Sequence, residues 1–201
     1  GRRRRKGKLR APIHMVLTDY DIHTMWIQEG VDHYYVATEE MAYALTAKGI
    51  GEASVDAVGI PVLPEFSRTY PSREEMRERL GLRPDVPTVL LAAGGFGLIR
   101  IDKVAAQVAR EVEHVQLLAV AGNSEKLRKD LEEAARLAPG RIVTYGFVDN
   151  MHELMAASDF MVAKPGGLTA SECLSMGLPL LILNPIPGQE ERNADYLLEC
   201  G

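Results

Sequence analysis

The sequence predicts a doubly wound α/β protein, in which a parallel sheet is covered by helices on both faces. Short runs rich in Val, Ile and Leu alternate along the chain with amphipathic stretches of helical period. Such alternation is typical of parallel strands joined by crossover helices. The runs are also almost continuously apolar, which fits strands buried on both faces.

The predicted elements follow one another in this alternating order. The apolar, β-branched runs predict strands at Ile13 to Leu17, His33 to Ala37, Ser54 to Val58, Thr88 to Ala92, Val115 to Val120, Ile142 to Tyr145, Phe160 to Ala163 and Leu180 to Leu183. The stretches of helical period predict helices at Glu39 to Lys48, Ile101 to Glu113, Ser124 to Leu137, Met151 to Ala157, Leu168 to Met176 and Gln189 to Glu199.

Prolines divide the chain, because proline interrupts sheet and helix alike. They concentrate at Pro61, Pro64, Pro71, Pro84 and Pro87. We therefore expect a partial N-terminal α/β segment over residues 1–62, a linker with a short helix near 73–80 over residues 63–86, and a Rossmann-like domain over residues 87–201. The few strands ahead of the linker make a poor independent domain, so we expect a fragment that lacks an N-terminal portion.

Composition excludes several classes of protein. Of the residues, 46% are hydrophobic, and the net charge of -5 argues against an extended nucleic-acid interface, which needs clustered Lys and Arg. No apolar run approaches the roughly 20 residues that a membrane-spanning helix needs. The two cysteines, Cys173 and Cys200, form neither a disulfide framework nor a zinc motif, so a reducing cytoplasmic setting is expected.

The first ten residues are the exception to the acidic balance. Basic side chains crowd there at Arg2, Arg3, Arg4, Arg5, Lys6, Lys8 and Arg10. One interpretation is a solvated segment. The other is contact with an anionic membrane surface, where each basic residue contributes about 1 kcal/mol.

Two glycine-rich turns each follow a predicted strand and precede a predicted helix. The first contains Gly94, Gly95 and Gly97, and the second contains Gly166 and Gly167, followed by Thr169. Free amides and the dipole at a helix N-terminus attract phosphate, and glycine lets the backbone approach closely. The spacing matches neither a dinucleotide fingerprint nor a P-loop. Glycines at such turns also occur for backbone geometry alone, and that alternative stays open.

Glu172 lies one turn into the helix after the second glycine turn. Its carboxylate could accept hydrogen bonds from two adjacent ribose hydroxyls. The sequence Thr169-Ala170-Ser171-Glu172 also fits a capping box, in which threonine and glutamate satisfy each other's backbone amides. Sequence position alone favours neither interpretation.

Further polar residues follow the last strand. Gln189, Glu190 and Asn193 stand at the start of the final helix, with Gln189 and Asn193 on one face. Amides and carboxylates are the groups that hexose hydroxyls need, although a solvated helix start has the same composition. After another strand, Phe147 and Val148 could meet a nucleobase, although an ordinary strand exit is the commoner explanation for such residues.

Asp19 and His23 stand near the end of the first strand. They could form a polar pair that faces a cleft, or they could belong to a surface loop. Asp19-Tyr20-Asp21 has no further metal ligand nearby in the sequence, so we do not expect a metal site there.

Taken together, these motifs resemble glycosyltransferase family 28, whose members have the GT-B architecture of two Rossmann-like domains. The similarity runs from about Thr18 to Gly201 and, within the family, is greatest to the monogalactosyldiacylglycerol synthases and bacterial diacylglycerol glucosyltransferases. It is carried by Val16-Leu17-Thr18-Asp19 with His23 and Trp26, Val58-Gly59-Ile60-Pro61-Val62, Gly94-Gly95-Phe96-Gly97, Gly146-Phe147-Val148, Lys164-Pro165-Gly166-Gly167-Leu168-Thr169 with Glu172, and Gly188-Gln189-Glu190 with Asn193.

The resemblance implies that a hexose is transferred from a UDP-sugar, UDP-glucose or UDP-galactose, to a lipid hydroxyl such as that of diacylglycerol. Transfer would invert the anomeric carbon and need no catalytic metal or other cofactor. The implied contacts are Gly94, Gly95, Gly97, Gly166, Gly167 and Thr169 with the diphosphate, Phe147 and Val148 with uracil, Glu172 with ribose, and Gln189, Glu190 and Asn193 with the hexose. The family's general base would lie ahead of the residues seen here, which leaves Asp19 and His23 as candidates for active-site roles.

Two alternatives remain at this point. One is a UDP-sugar epimerase of the same architecture, which would use the donor pocket without a lipid. The other is a non-catalytic donor-binding subunit that works with a membrane partner, although such a subunit would not need the strands ahead of the linker.

Overall fold

The computed structural model of the protein describes residues 11–93 and 100–200, apart from the side chain of Cys200. The strands are β1 (His14–Val16), β2 (His33–Val36), β3 (Val55–Ala57), β4 (Thr88–Ala92), β5 (Gln116–Val120), β6 (Ile142–Tyr145), β7 (Phe160–Ala163) and β8 (Leu180–Ile182). The α-helices are α1 (Glu39–Ala47), α2 (Arg73–Arg79), α3 (Ile101–Glu111), α4 (Glu125–Arg136), α5 (Met151–Ala156), α6 (Gly167–Met176) and α7 (Gln189–Cys200). Short 3₁₀ helices occur at Thr24–Trp26, Glu52–Ser54 and Pro64–Ser67.

This order of elements confirms the predicted α/β fold. Each predicted strand and helix is present, with ends that differ by at most two residues. The chain divides into two compact units. The first unit holds the residues up to Pro61, Gly166–Ser171 and the residues from Ile186 onward, and the second holds Val62–Pro165 and Glu172–Pro185.

The first unit is built on a three-stranded parallel sheet in the order β1-β2-β3. Thr38 is the N-cap of α1. Its side-chain oxygen accepts a hydrogen bond from the Met41 amide and so satisfies an amide that the helix itself leaves unpaired. The helix packs on one face of the sheet through a small core made of Leu17, Tyr34, Val36, Met41 and Leu45.

The second unit contains a five-stranded parallel sheet in the order β6-β5-β4-β7-β8. Every residue of β4 and β5 is buried, as the continuous apolar runs predicted. The chain moves outward from β4 through β5 to β6 and then returns to place β7 on the other side of β4. Ligands of doubly wound sheets bind outside the carboxyl ends of the strands at such a reversal, which here lies between β4 and β7.

Alternate residues of these strands supply a separate core on each face of the sheet. On one face, Leu91 and Leu117 pack with residues of α3 and α4, including Ile101 and Leu131. On the other, the core contains Leu90, Leu118, Leu154, Met155 and Cys173. Cores on both faces identify a doubly wound sheet.

The proline-rich segment packs into the second unit. Helix α2 begins with a capping box in which the Ser72 hydroxyl accepts from the Glu75 amide and the Glu75 carboxylate accepts from the Ser72 amide. Arg77 on this helix is 4% exposed and donates to the carbonyls of Ala157 and Pro84. The short helix predicted near 73–80 is therefore confirmed.

Two sets of predicted contact residues lie outside the described residues. They are the basic start at Arg2 to Arg10 and the glycines Gly94, Gly95 and Gly97. Across 11–93 and 100–200, no helix combines the length and the apolar character needed to cross a bilayer.

Candidate functional site

The second glycine turn leads directly into α6. The amide of Ala170 donates to the carbonyl of Gly166 at 2.9 Å, so the helix begins at Gly167 and Thr169 already lies within it. A residue inside the first turn cannot be the N-cap, and the capping-box interpretation of Thr169 and Glu172 is therefore wrong. The first-turn amides of an α-helix, among them that of Thr169 here, have no acceptor within the helix itself.

Gly167 also has a packing role that the sequence did not predict. A Cβ atom at this position would lie 1.8 Å from the carbonyl oxygen of Thr18, whereas a Cβ at Gly166 would meet nothing within 4 Å. Gly167 therefore allows the backbones of α6 and the segment after β1 to approach each other. Its predicted contact with a diphosphate stays a prediction.

Glu172 is a partly buried carboxylate on α6 in the second unit. Its side chain makes no hydrogen bond to any described residue, and burial raises the pKa of its carboxyl group. A desolvated carboxylate is unfavourable until a donor satisfies it. The arrangement thus suits a ligand that presents hydroxyl donors, such as a ribose diol.

Phe147 and Val148, which follow β6, lie in different environments. The ring of Phe147 is 73% exposed, whereas Val148 packs against the hydrophobic core of the second unit. Of the two, Phe147 offers the larger apolar surface to a ligand such as a nucleobase. For both residues, contact with uracil stays a prediction.

Asp19 lies in the first unit and is 8% exposed. Its Oδ1 accepts from the Asn193 side-chain amide at 2.9 Å, and its Oδ2 accepts from the Gln189 side-chain amide. Burial raises the pKa of Asp19, and these two hydrogen bonds oppose that rise. The carboxylate therefore holds two residues that the resemblance assigned to the hexose.

His23 does not join Asp19. Its Nδ1 accepts from the Met25 amide at 3.2 Å and so caps a 3₁₀ helix, and its ring packs edge-on against Trp26. The described structure does not contain the polar pair of Asp19 and His23 that the sequence suggested, because the His23 ring instead bonds to Met25 and packs against Trp26.

The start of α7 places the three predicted hexose contacts in different settings. Asn193 is fully buried, and its Oδ1 accepts from the Tyr20 amide at 2.8 Å. Glu190 accepts from the Ile186 amide at 2.7 Å. Gln189 is exposed, and its Oε1 has no hydrogen-bond partner among the described residues. Of the three, Gln189 offers the most accessible polar group.

Sequence reasoning missed the residues that hold the segment after β1 in place. The Tyr20 hydroxyl lies 2.9 Å from the Ser171 hydroxyl, and the Tyr20 ring stacks on Tyr196 with centroids 4.4 Å apart. Arg192 pairs with Asp21 at 3.0 Å. The partners lie more than 150 positions apart in the sequence, as Tyr20 and Ser171 show, and no local pattern relates them.

The acidic residues after β1 bond to side chains of α7. No three His, Cys, Asp or Glu side chains of residues 11–93 and 100–200 are grouped so that they could hold a metal ion. Asp19 and Asp21 instead bond to Gln189, Asn193 and Arg192.

Comparison with known families decides the family of this chain. A family model described as the glycosyltransferase family 28 C-terminal domain matches residues 88–200. The chain belongs to glycosyltransferase family 28. A second model, described as monogalactosyldiacylglycerol (MGDG) synthase, matches residues 2–62 of this family 28 chain.

A curated relative agrees with this assignment, and two solved structures are similar to the chain in fold. Processive diacylglycerol β-glucosyltransferase of Bacillus licheniformis is 33% identical over 199 residues, 99% of this chain and 51% of the relative. The family 28 chain thus spans about half the length of the curated relatives it matches. Acinetobacter baumannii MurG has a TM-score of 0.63 at 16% identity, over 99% of this chain and 53% of MurG. UDP-GlcNAc 2-epimerase from Neisseria meningitidis, solved bound to UDP-GlcNAc, has a TM-score of 0.65 at 16% identity, over 91% of this chain and 55% of the epimerase. Both structures share the GT-B fold.

Proposed function

We propose that this chain carries the donor site of an inverting glycosyltransferase that moves a hexose from UDP-glucose or UDP-galactose to a lipid hydroxyl such as that of diacylglycerol. The lipid hydroxyl oxygen would form a bond to the anomeric carbon as the bond to UDP breaks. UDP would leave with the electron pair, and the hydroxyl proton would pass to a general base of the full-length protein. The helix dipole and free amides at the start of α6 would stabilise the negative charge of the departing diphosphate.

The partly buried carboxylate of Glu172 is the observation on which the proposal depends. It is partly buried, has no hydrogen-bond partner among the described residues, and stands on the helix that follows β7, beside the sheet reversal. A nucleoside supplies what this carboxylate lacks, because two neighbouring ribose hydroxyls can donate to its two oxygens.

The name of the Bacillus licheniformis relative supports the choice of reaction and acceptor. Its similarity extends over 99% of this chain and therefore includes the segment before the proline-rich region as well as the donor domain. Because the chain spans about half of that relative, the complete reaction is proposed for a protein of the relative's full length.

Calorimetric titration with UDP tests the donor site directly. We expect Glu172→Gln, which keeps the shape but removes the charge, to weaken UDP binding by about 10- to 100-fold through lost charge-assisted hydrogen bonds. Glu133→Gln is the matched control, since Glu133 is an exposed carboxylate on α4. Unchanged UDP affinity in a folded Glu172→Gln protein would contradict the proposal.

We also propose that donor binding needs no divalent cation, since the α6 amides would take over the stabilising role of a metal. The same titration with and without magnesium is expected to give equal affinities. A large gain in affinity that depends on magnesium would contradict this part.

A UDP-sugar epimerase is the competing enzyme. It has the same fold, so structural similarity alone does not separate the two, but the 33% identical relative favours transfer. Incubation of the full-length protein with UDP-glucose and diacylglycerol should yield glycolipid. Epimerised nucleotide without glycolipid would favour the competing reaction.

A further inference from the structure

We propose that Asp19 is a positioning residue for the donor sugar: it fixes the side-chain amide of Gln189 so that Oε1 is presented as an acceptor to a hexose hydroxyl. In the same arrangement, Asn193 anchors the segment after β1 and does not bind the sugar. This inference rests on the proposed function, because it concerns the hexose of the same UDP-hexose donor.

The hydrogen bonds of Asp19 fix the direction of the Gln189 amide. A carboxylate oxygen can only accept from an amide nitrogen, and Oδ2 of the buried Asp19 accepts from Nε2 of Gln189. Because the amide group is planar, Oε1 lies on the side of the amide carbon away from Nε2. Gln189 is exposed and Oε1 has no partner among the described residues, so this oxygen is available to a ligand that donates a hydrogen bond.

Asn193 has a different role because both ends of its amide are occupied. Its Nδ2 donates to Asp19 at 2.9 Å and its Oδ1 accepts from the Tyr20 amide at 2.8 Å. With no exposed surface, it cannot reach a sugar without breaking these bonds, and it holds Asp19 in place instead.

The segment that carries Asp19 is fixed on both sides of that residue. The Thr18 carbonyl packs against Gly167, and the Tyr20 ring stacks on Tyr196. Asp21 pairs with Arg192 at 3.0 Å. A carboxylate on a segment held this firmly can orient a mobile glutamine at little entropic cost.

A double-mutant cycle on UDP-glucose binding tests whether Asp19 acts through Gln189. The wild-type chain, Asp19→Asn, Gln189→Ala and the double variant are titrated by calorimetry with UDP and with UDP-glucose. Asparagine at position 19 can donate to Oε1 of Gln189 and so let the amide turn. We expect Asp19→Asn to reduce the affinity gain of UDP-glucose over UDP by about three- to tenfold, and to have no further effect once Gln189 is alanine. UDP affinity itself should not change.

Asp195→Asn is the matched control, because Asp195 is an exposed carboxylate on α7 and lies outside the segment that carries Asp19. It should leave the affinity gain intact. Independent losses from Asp19→Asn and Gln189→Ala would overturn the positioning role, as would a wild-type protein that binds UDP-glucose no more tightly than UDP. Absence of UDP binding by the wild type would instead contradict the proposed function, and the inference with it.

A measurement on the wild type covers the case in which Asp19→Asn does not fold. The side-chain amide protons of Gln189 are followed by nuclear magnetic resonance during titration with UDP-glucose. Continued protection of one Nε2 proton from solvent exchange is expected, since Asp19 keeps its hydrogen bond. Loss of that protection on sugar binding would show that Nε2 has turned toward the ligand and would overturn the inference.

Discussion

The backbone of Gly167 approaches Thr18 so closely that an added Cβ would lie 1.8 Å from the Thr18 carbonyl oxygen. Because that oxygen belongs to backbone, it cannot move aside as a flexible side chain would. The glycine is thus fixed by the packing of α6 against the segment after β1, whatever it contributes to ligand binding.

Gly167→Ala is therefore expected to destabilise the protein by about 1–3 kcal/mol, the usual range for overpacking. Gly166→Ala is the matched control, since its Cβ would meet nothing within 4 Å. The measurement is the free energy of unfolding from urea titrations. Equal stability of the two variants would contradict the close approach.

Arg77 should be a strong determinant of stability in the second unit. Its guanidinium is 2.7 Å from the Asp159 carboxylate, which also accepts from the Thr88 amide at 2.7 Å. Arg77→Ala removes three hydrogen bonds from a buried position, and we expect a loss of roughly 2–4 kcal/mol in the free energy of unfolding. Arg79→Ala, on an exposed part of α2, should change it by less than about 0.5 kcal/mol.

Arg77→Lys is expected to lose nearly as much stability as Arg77→Ala, because an ammonium cannot reproduce the planar set of donors that a guanidinium presents. A free energy of unfolding equal to that of the wild type in Arg77→Lys would mean that the positive charge alone, and not the hydrogen bonds to Ala157 and Pro84, stabilises this position.

The stability of the ligand-free protein should depend on pH through Glu172. Burial raises the pKa of Glu172 above its ordinary value of 4.5. Below pH 4.5 the carboxyl is protonated in both the folded and the unfolded chain, so it causes no loss of stability. As pH rises from 4.5 through the higher folded pKa, the unfolded chain ionises first and the folded state is destabilised.

Glu172→Gln is thus expected to be more stable than wild type near neutral pH and equal to it in acid. Urea midpoints measured across this pH range provide the test, with Glu133→Gln as the control. Saturating UDP should reverse the order at neutral pH, since the wild type binds UDP more tightly and therefore gains more stability from the ligand than Glu172→Gln does. A stability difference between wild type and Glu172→Gln that is the same at every pH would contradict this prediction.

Cys173 should be chemically inert in the folded protein. Burial is the main cause that raises its pKa to about 12, and its Sγ packs 3.7 Å from the sulfur of Met161. At pH 8 only roughly one thiol in 10,000 would be ionised. In a Cys200→Ser background, iodoacetamide is expected to label the urea-unfolded chain fully while leaving the native chain unlabelled, as measured by mass spectrometry. Native labelling at the rate of free cysteine would contradict the burial of this thiol.

The basic start of the chain should promote binding to anionic membranes. Replacing Arg2, Arg3, Arg4 and Arg5 by serine is expected to weaken binding to vesicles that contain phosphatidylglycerol, by about fivefold for each charge removed. Co-sedimentation measures this, and pure phosphatidylcholine vesicles are the control. Equal binding of the wild type and the serine variant to the anionic vesicles would support the interpretation that the basic segment is solvated.

Local patterns predicted the elements of this fold but not all of its site. The apolar runs of β4 and β5 carry their signal within a few neighbouring positions. Glu172 could be placed on its helix in the same way. The order β6-β5-β4-β7-β8 fits the doubly wound class that alternation predicts.

Contacts between distant parts of the chain could not be predicted in this way. Asn193 has the chemistry of a sugar contact, yet its amide is occupied by Asp19 and Tyr20. Thr169 fits a capping box by spacing, but the helix begins two residues earlier, at Gly167. In both cases the deciding partner or turn geometry is not encoded in adjacent residues.

The attachment of α7 to Asp19, Tyr20 and Asp21 has a practical consequence for expressing parts of this protein. A recombinant piece that starts at the proline-rich region would retain Asn193, Tyr196 and Arg192 while losing every one of these partners. Its terminal helix would then expose a buried amide and an aromatic face, which favours fraying and self-association. Deletion strategies for this family 28 chain should therefore keep residues 11–61 with the last helix.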